Sequence, residues 1–347
     1  MVLSSWTKRD FGRFGRRGNR ASGLKLIGVM LVGNEADLVA PAIERALACG
    51  VDGFVIVETA SRDSTPQVLR RYCNDPRFDI TFLTHETVYG AAPPHPQMLW
   101  RDMVKRAKAR FGADWLIRFD ADEMLMAPGT DLKALCASAT TDEVHLRRFN
   151  TLVLNDGTDL HAAAADPVRL GRVPVMARPF PNELVRSGAV ADIPLILTHV
   201  AQRPMTRAAS IAGYDAGGHL GLDDAQRPVS HSVANHAWIV HFWFTTEARF
   251  AGKARFLHDI TNSVRSKVPG GWQWNRWASQ AAKDPARVSE EFRRQVLDQA
   301  TFDALQAQGR VAPAAIVDPA AFLSDPETVE ADLRSLGFGA AGDGTRG

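Results

Sequence analysis

The sequence predicts an α/β protein whose mainly parallel sheet is flanked by helices, and two observations carry that reading. Short apolar runs alternate with helical patterns through the first half of the chain, the order expected of βα units. Those runs are hydrophobic almost throughout rather than at every second residue, as strands covered on both faces must be. From about Asp142 the pattern loosens into strand-like pieces between Pro- and Gly-rich loops, and the C-terminal part reads as helical.

The elements follow in order. LKLIGVMLV (24–32) is the first strand. A helix follows from about Asp37 to Cys49, with Leu38, Ile43 and Leu47 on neighbouring faces and Gly50 as its stop. GFVIVE (53–58) is the second strand and leads to a helix with Pro66 in its first turn, capped by Asp63 or Ser64. FDITFL (78–83) is the third. After Pro96, Leu99, Met103 and Ala107 recur every four residues in a helix that ends near Gly112, and DWLIRF (114–119) is the fourth strand. AWIVHFWF (237–244) is a late strand, followed by a helix carrying Phe250 and Ala254 on one face. SEEFRRQVLDQATFDALQAQ is the clearest amphipathic stretch of the end.

The totals exclude several classes. With 45% hydrophobic and 23% charged residues among 347, the chain has an ordinary globular composition. Its net charge is +2, but the first twenty residues hold six basic side chains and one acid, so the body is slightly acidic. A nucleic-acid partner, which needs a basic face to displace counterions, is therefore not expected. Cys49, Cys73 and Cys136 show no CxxC spacing, which argues against a disulfide framework or thiolate zinc site and fits a reducing cytoplasm. No apolar run long enough for a signal core or a membrane span occurs. The basic segment 1–23 is expected to be a disordered tail able to touch an anionic inner membrane surface. The expected organisation is that tail, one domain over 24–262 with halves at 24–130 and 131–262, and a helical C-terminal extension over 263–347.

Three polar stretches sit where strands end, the edge at which open α/β sheets bind ligands. Asn34 and Glu35 follow the first strand; a carboxylate there can accept from a base or ribose, although Asn34 and Asp37 also suit a helix cap. Glu58 and Thr59 close the second. In WLIRFDADEMLMAPG the fourth strand runs into Asp120, Asp122 and Glu123. Three carboxylates at the exit of a buried strand repel one another and are costly to desolvate, so a cation is the simplest compensation. Oxygen ligands suit Mn²⁺ or Mg²⁺, which would also neutralise diphosphate oxygens.

These stretches, in this order, resemble the donor half of family 2 glycosyltransferases, in particular a bacterial subgroup with motifs of the form KNEADI and DNGSTDGT. GNEADL has Gly33 where Lys is usual, ETASRDST has Glu58 and Thr59 where Asp with Asn or Asp is usual, and DADE matches fully. The resemblance covers about 24–130 well and extends more weakly to about 262. It implies a GT-A type, Rossmann-like fold and a nucleotide-sugar donor, a UDP-sugar, with Asn34, Glu35, Glu58 and Thr59 around the nucleoside. Asp120 and Asp122 then lie at the sugar and metal, with Asp122 catalytic. WIVHFWFTTEARFAGKARF resembles the subgroup's HFxxRSxEQFxxK segment, which makes His241 a further metal ligand and Lys253 a diphosphate contact. GGHL around His219 resembles a Gly-His element of the same subgroup.

Inverting transfer to a carbohydrate or other hydroxyl acceptor, as family 2 implies, needs a carboxylate base. Asp215, Asp223 and Asp224 lie in the right part of the chain, and Trp272, Trp274 and Trp277 offer faces for sugar stacking. Two alternatives stay open: a sugar nucleotidyltransferase, though no Gly-rich phosphate loop follows strand one, and a non-catalytic sugar-binding protein that keeps the fold.

Overall fold

The computed structural model describes residues 23–90, 94–186, 193–263, 277, 279–280, 283–322 and 326–338. The basic tail and the tryptophans at 272 and 274 lie outside the described residues. Eight strands form one sheet: β1 (Leu26–Val32), β2 (Gly53–Glu58), β3 (Phe78–Phe82), β4 (Trp115–Arg118), β5 (Glu123–Met126), β6 (Glu143–Asn150), β7 (Arg203–Arg207) and β8 (His231–His241). Their spatial order is 3-2-1-4-7-6-8-5. β1 to β4 are mutually parallel, β7 runs antiparallel to both neighbours, β6 and β8 are parallel, and β5 closes the far edge antiparallel to β8. This is the mainly parallel α/β sheet flanked by helices that the sequence predicts.

Side-chain alternation along β1 and β2 explains the two helical layers. Leu26, Met30, Phe54 and Ile56 face the core beneath α1 (Val39–Ala48) and α2 (Thr65–Arg70), whereas Ile27, Val29, Val55 and Val57 pack with Trp100, Met103 and Ala107 of α3 (Pro96–Phe111). α3 ends as predicted, with Gly112 in a left-handed conformation (φ 61°). Ser64 is the N-cap of α2 but makes no side-chain cap bond; Asp63 Oδ1 accepts from the Thr65 N–H at 2.9 Å instead.

The chain between β4 and β5 dictates the shape of the sheet. Four strand spacings separate them, about 19 Å in a flat sheet. Five residue steps from Arg118 to Glu123 reach at most about 18 Å, and a Glu123 N–H to Asp120 C=O bond of 3.2 Å tightens the turn further. The sheet must therefore curl, and α1 bridges the curl: Arg45 Nε donates to the Leu125 carbonyl at 2.9 Å.

The C-terminal part is less purely helical than expected. The amphipathic stretch breaks into α5 (Pro285–Arg294) and α6 (Gln299–Ala307) after α4 (Glu247–Ser263), because Val296–Leu297 pairs with Val153–Leu154 and Asp298 caps a fresh helix through the Thr301 N–H. Val311–Pro313 then pairs with Pro174–Met176 before α7 (Pro326–Ser335).

Gly53 offers a test of this packing. A Cβ there would stand 2.4 Å from the Arg77 carbonyl oxygen, a backbone atom that cannot swing away. Gly53→Ala is expected to destabilise by about 1–3 kcal/mol, read as a lower denaturant midpoint at unchanged slope; an unchanged midpoint would show that β2 and the turn before β3 are not so closely packed.

Candidate active site

The site forms where β1, β2, β4 and β8 end. The loops after β1 and β2 are stitched together: the Asn34 N–H donates to Ser61 Oγ at 2.8 Å and its Oδ1 accepts from the Arg62 N–H at 2.8 Å. The Glu35 N–H donates to Thr65 Oγ1 at 2.8 Å and the Ala36 N–H to Asp63 Oδ2 at 3.1 Å. Asn34 (φ 57°) and Ala60 (φ 54°) both hold left-handed backbone, a conformation costing an alanine roughly 1–2 kcal/mol and concentrated at functional loops. Neither Asn34 nor Asp37 caps α1, whose cap is Leu38 without a side-chain bond.

Strand register assembles the second half. His241 on β8 lies opposite Asn150 on β6 and opposite Glu123 on β5, so the three occupy one row. The Phe242 N–H donates to the Asp122 carbonyl at 2.8 Å, which fastens the carboxylate turn to the end of β8. α4, entering from Glu247, brings Arg249 and Lys253 over the same spot. A cleft of about 720 Å³ opens there, lined by Asn34, Asp37, Arg62 and Asp63 on the loops and by Arg249 and Lys253 on the helix.

The electrostatics correct the premise drawn from the sequence. The carboxylates do cluster, but each already faces cationic side chains. Asp120 pairs with Arg118 at 2.9 Å and with Arg203. Glu123, fully buried, pairs with Arg148 at 2.6 Å and Arg203 at 2.9 Å. Asp122 meets Lys253 at 2.7 Å and Arg249 at 3.4 Å, and Glu35 meets Lys253 at 3.0 Å and Arg249. Asp37 joins Arg249 at 3.5 Å and His161 at 3.0 Å. An ion is thus not the only compensation available to the carboxylates.

The balance is nevertheless uneven. Around Asp120 and Glu123 stand three guanidinium groups; among the described residues, Asp122, Glu35 and Asp37 share Arg249 and Lys253, with His161 beside Asp37. Burial alone would raise Asp120 and Asp122. Arg118 and Arg203 instead hold Asp120 well below the usual carboxylate range, and Lys253 and Arg249 do the same for Asp122. Glu35 absorbs the surplus negative charge: burial, helped by Asp122, pushes its pKa up against the pull of Arg249 and Lys253.

That surplus lies where a metal would fit. Ligand atoms of Asp122, Glu123 and His241 approach within 4.8 Å of one another, whereas Asp120 is turned to its arginines and stands outside the group. Glu123 is also spent, since its oxygens accept from Arg148, Arg203 and the Asp120 N–H. Asp122 Oδ1 and His241 Nε2 remain, 3.8 Å apart. Burial chiefly drives the His241 pKa far down, and a carboxylate oxygen beside an imidazole nitrogen is a pair suited to a divalent ion.

The other expected residues divide. Lys253, expected at the diphosphate, pairs with Asp122 and Glu35. Glu58 is buried and gives its carboxylate to its own loop, accepting from the Ala60 and Ser61 N–H groups at 3.2 and 2.6 Å, while Thr59 Oγ1 donates to the Val32 carbonyl. In this state both shape the rim rather than face the cleft. Asp215 caps the turn through Leu220, accepting from the Gly217, His219 and Leu220 N–H groups. Asp223 binds Arg227 within its own turn, and neighbouring Asp224 acts on Lys108 near the far end of α3. The structure therefore does not bring Asp223 to the carboxylates. Trp277 is core, packed on Trp243, Phe244 and Phe250, not a sugar platform. Sequence reasoning missed Arg118, Asn150, Arg148, Arg203 and Arg249; a lone arginine inside the apolar run WLIRF was the available signal.

His219 shows how strongly the arginines act. Burial first, then Arg203, Arg148 and Arg118, push its pKa down to about 2, and Arg203 Nη1 donates to its Nδ1 at 3.0 Å. Below the ordinary histidine pKa near 6.5 the unfolded chain gains a proton that the native state refuses, so stability falls as pH drops. The loss reaches at most about 1.4 kcal/mol per pH unit. Melting curves between pH 7.5 and 5 are expected to decline more steeply for the wild type than for His219→Gln; equal slopes would remove His219 as the source.

No family model and no curated protein sequence matches the chain. Among solved structures, it is similar to TarS 1–349 of S. aureus, at 13% identity over 82% of this chain and 92% of that chain, with a TM-score of 0.36. It is also similar to glucosyl-3-phosphoglycerate synthase of Mycobacterium tuberculosis in complex with Mn²⁺, UDP and glucosyl-3-phosphoglycerate, at 14% identity over 72% and 82%, with a TM-score of 0.32. HddC of Yersinia pseudotuberculosis matches at 11% identity over 62% and 92%, with a TM-score of 0.32.

Proposed function

We propose that the protein is a glycosyltransferase that takes a sugar from a nucleoside diphosphate donor, a UDP-sugar, and passes it with inversion to an acceptor hydroxyl. The observation that carries this reading is the cleft at the carboxyl ends of β1 and β2, where Arg249 and Lys253 reach both the opening and Asp122. A diphosphate entering there competes for these two cations. Lys253 and Arg249 then bind phosphate oxygens, and Asp122 loses its partners beside His241 Nε2. Asp122 and His241 would hold Mn²⁺ or Mg²⁺, which supplies Lewis-acid neutralisation of charge on the leaving diphosphate. Asn34 and Asp37 line the same cleft on the nucleoside side. Asp120, kept ionised by two arginines, is a weak base and instead orients sugar hydroxyls as an acceptor of hydrogen bonds.

The ion pairs favour one second reading: a chain that binds the nucleotide diphosphate without turning it over. One experiment separates the two. Thermal shifts and donor hydrolysis are measured with a panel of nucleotide sugars, with and without Mn²⁺. A donor present at about a hundred times its Kd should add about 2.7 kcal/mol of stability, and Asp122→Asn, which melts lower because Lys253 and Arg249 lose a buried partner, should lose hydrolysis by at least a hundredfold at a temperature where it remains folded. Binding without hydrolysis selects the second reading; no shift with any nucleotide sugar removes both.

A further inference from the structure

We propose that Asn150 is a positioning residue: it fixes His241 as the Nδ1–H tautomer, so that Nε2 presents a lone pair to a divalent cation beside Asp122. The inference rests on the metal-dependent reading of the site and concerns a residue that the reading itself does not require.

The argument starts from the Asn150 amide, buried with the residue only 2% exposed. Its nitrogen lies 3.3 Å from the Ile196 carbonyl and 3.2 Å from the Thr198 carbonyl. A carbonyl oxygen cannot donate, so the amide is held with Nδ2 toward those two acceptors; turned over, Oδ1 would meet two like dipoles. Oδ1 consequently points to His241 Nδ1 at 2.8 Å. An amide oxygen only accepts, so the proton of that bond belongs to Nδ1. Nε2 of the neutral ring is then bare, and it faces Asp122 Oδ1 at 3.8 Å.

The placement follows from register, since Asn150 and His241 are direct partners on neighbouring parallel strands. The plane of the ring is supported separately by Trp243, stacked at 5.5 Å. Asn150 therefore contributes what stacking cannot, the choice of which nitrogen carries hydrogen. Outer partners of this kind typically change metal affinity by about 10–100-fold when removed.

Mn²⁺ affinity of the full chain with saturating UDP, which draws Lys253 and Arg249 away from Asp122, measured by calorimetry against a protein-free UDP titration, tests the proposal. Asn150→Leu keeps the volume and removes the acceptor, and is expected to weaken Mn²⁺ binding by about 10–100-fold. Asn150→Asp keeps an acceptor for Nδ1–H but sets an oxygen against the Ile196 and Thr198 carbonyls, and is expected to bind Mn²⁺ more tightly than Asn150→Leu. Should the leucine variant fail to fold, ¹⁵N spectra of the metal-free wild type, with His241 assigned by its loss in His241→Gln, decide by themselves: an Nδ1–H ring supports the proposal. An Nε2–H ring, or equal Mn²⁺ affinity in wild type and Asn150→Leu, overturns it and leaves the nucleotide-sugar reading standing. Absence of Mn²⁺ binding by the wild type removes the metal and this inference together, and the donor panel still judges the rest.

Discussion

The constraint on which the site depends is the shortness of the chain between β4 and β5. Residues Phe119–Asp122 must join the middle of the sheet to its far edge, and the sheet curls to allow it. Curling brings the ends of β4, β5, β6, β7 and β8 around one interior point. Asp120 and Asp122 lie on the connecting turn, Glu123 opens β5, and Arg118, Arg148 and Arg203 lie on the strands, so opposite charges meet without any long loop to carry them. Buried charges that find such partners avoid the several kcal/mol each would cost alone.

The pairing has two characters, and the difference matters for chemistry. Around Asp120 and Glu123 the partners are arginines rooted on strands, whose guanidinium groups hold fixed geometry. Around Asp122 and Glu35 the partners arrive from α4, a helix that also lines the cleft. The first set is built into the sheet. The second can exchange one anionic partner for another, which is the property a diphosphate site needs.

Much of this fold was legible because its strands are buried on both faces. LIGVMLV, GFVIVE and WLIR announce themselves by continuous hydrophobicity, and Gly112 and Pro66 mark helix ends by backbone geometry alone. The carboxylate turn was legible for the same reason, being an abrupt polar step after an apolar run. Its partners were not. Arg148, Arg203 and Asn150 are far away in sequence and reach the site only through the strand order 4-7-6-8-5, which periodicity does not encode. Without them, the carboxylates looked uncompensated and a metal looked obligatory. The break between α5 and α6 escaped for a related reason: Val296 and Leu297 fit a helical stripe locally, and pairing with Val153 and Leu154 decides otherwise.

The two small strand pairs at the end of the chain have a consequence for how the molecule is made. Val153–Leu154 and Pro174–Met176 take Val296–Leu297 and Val311–Pro313 as their strand partners. β1 to β4 can pair as soon as they leave the ribosome. The two earlier segments must wait for partners far along the chain, holding open edges meanwhile. Such distant closures slow folding and leave the nascent chain exposed to mispairing, so the vulnerable period in the making of this protein lasts until residues 296–313 have emerged.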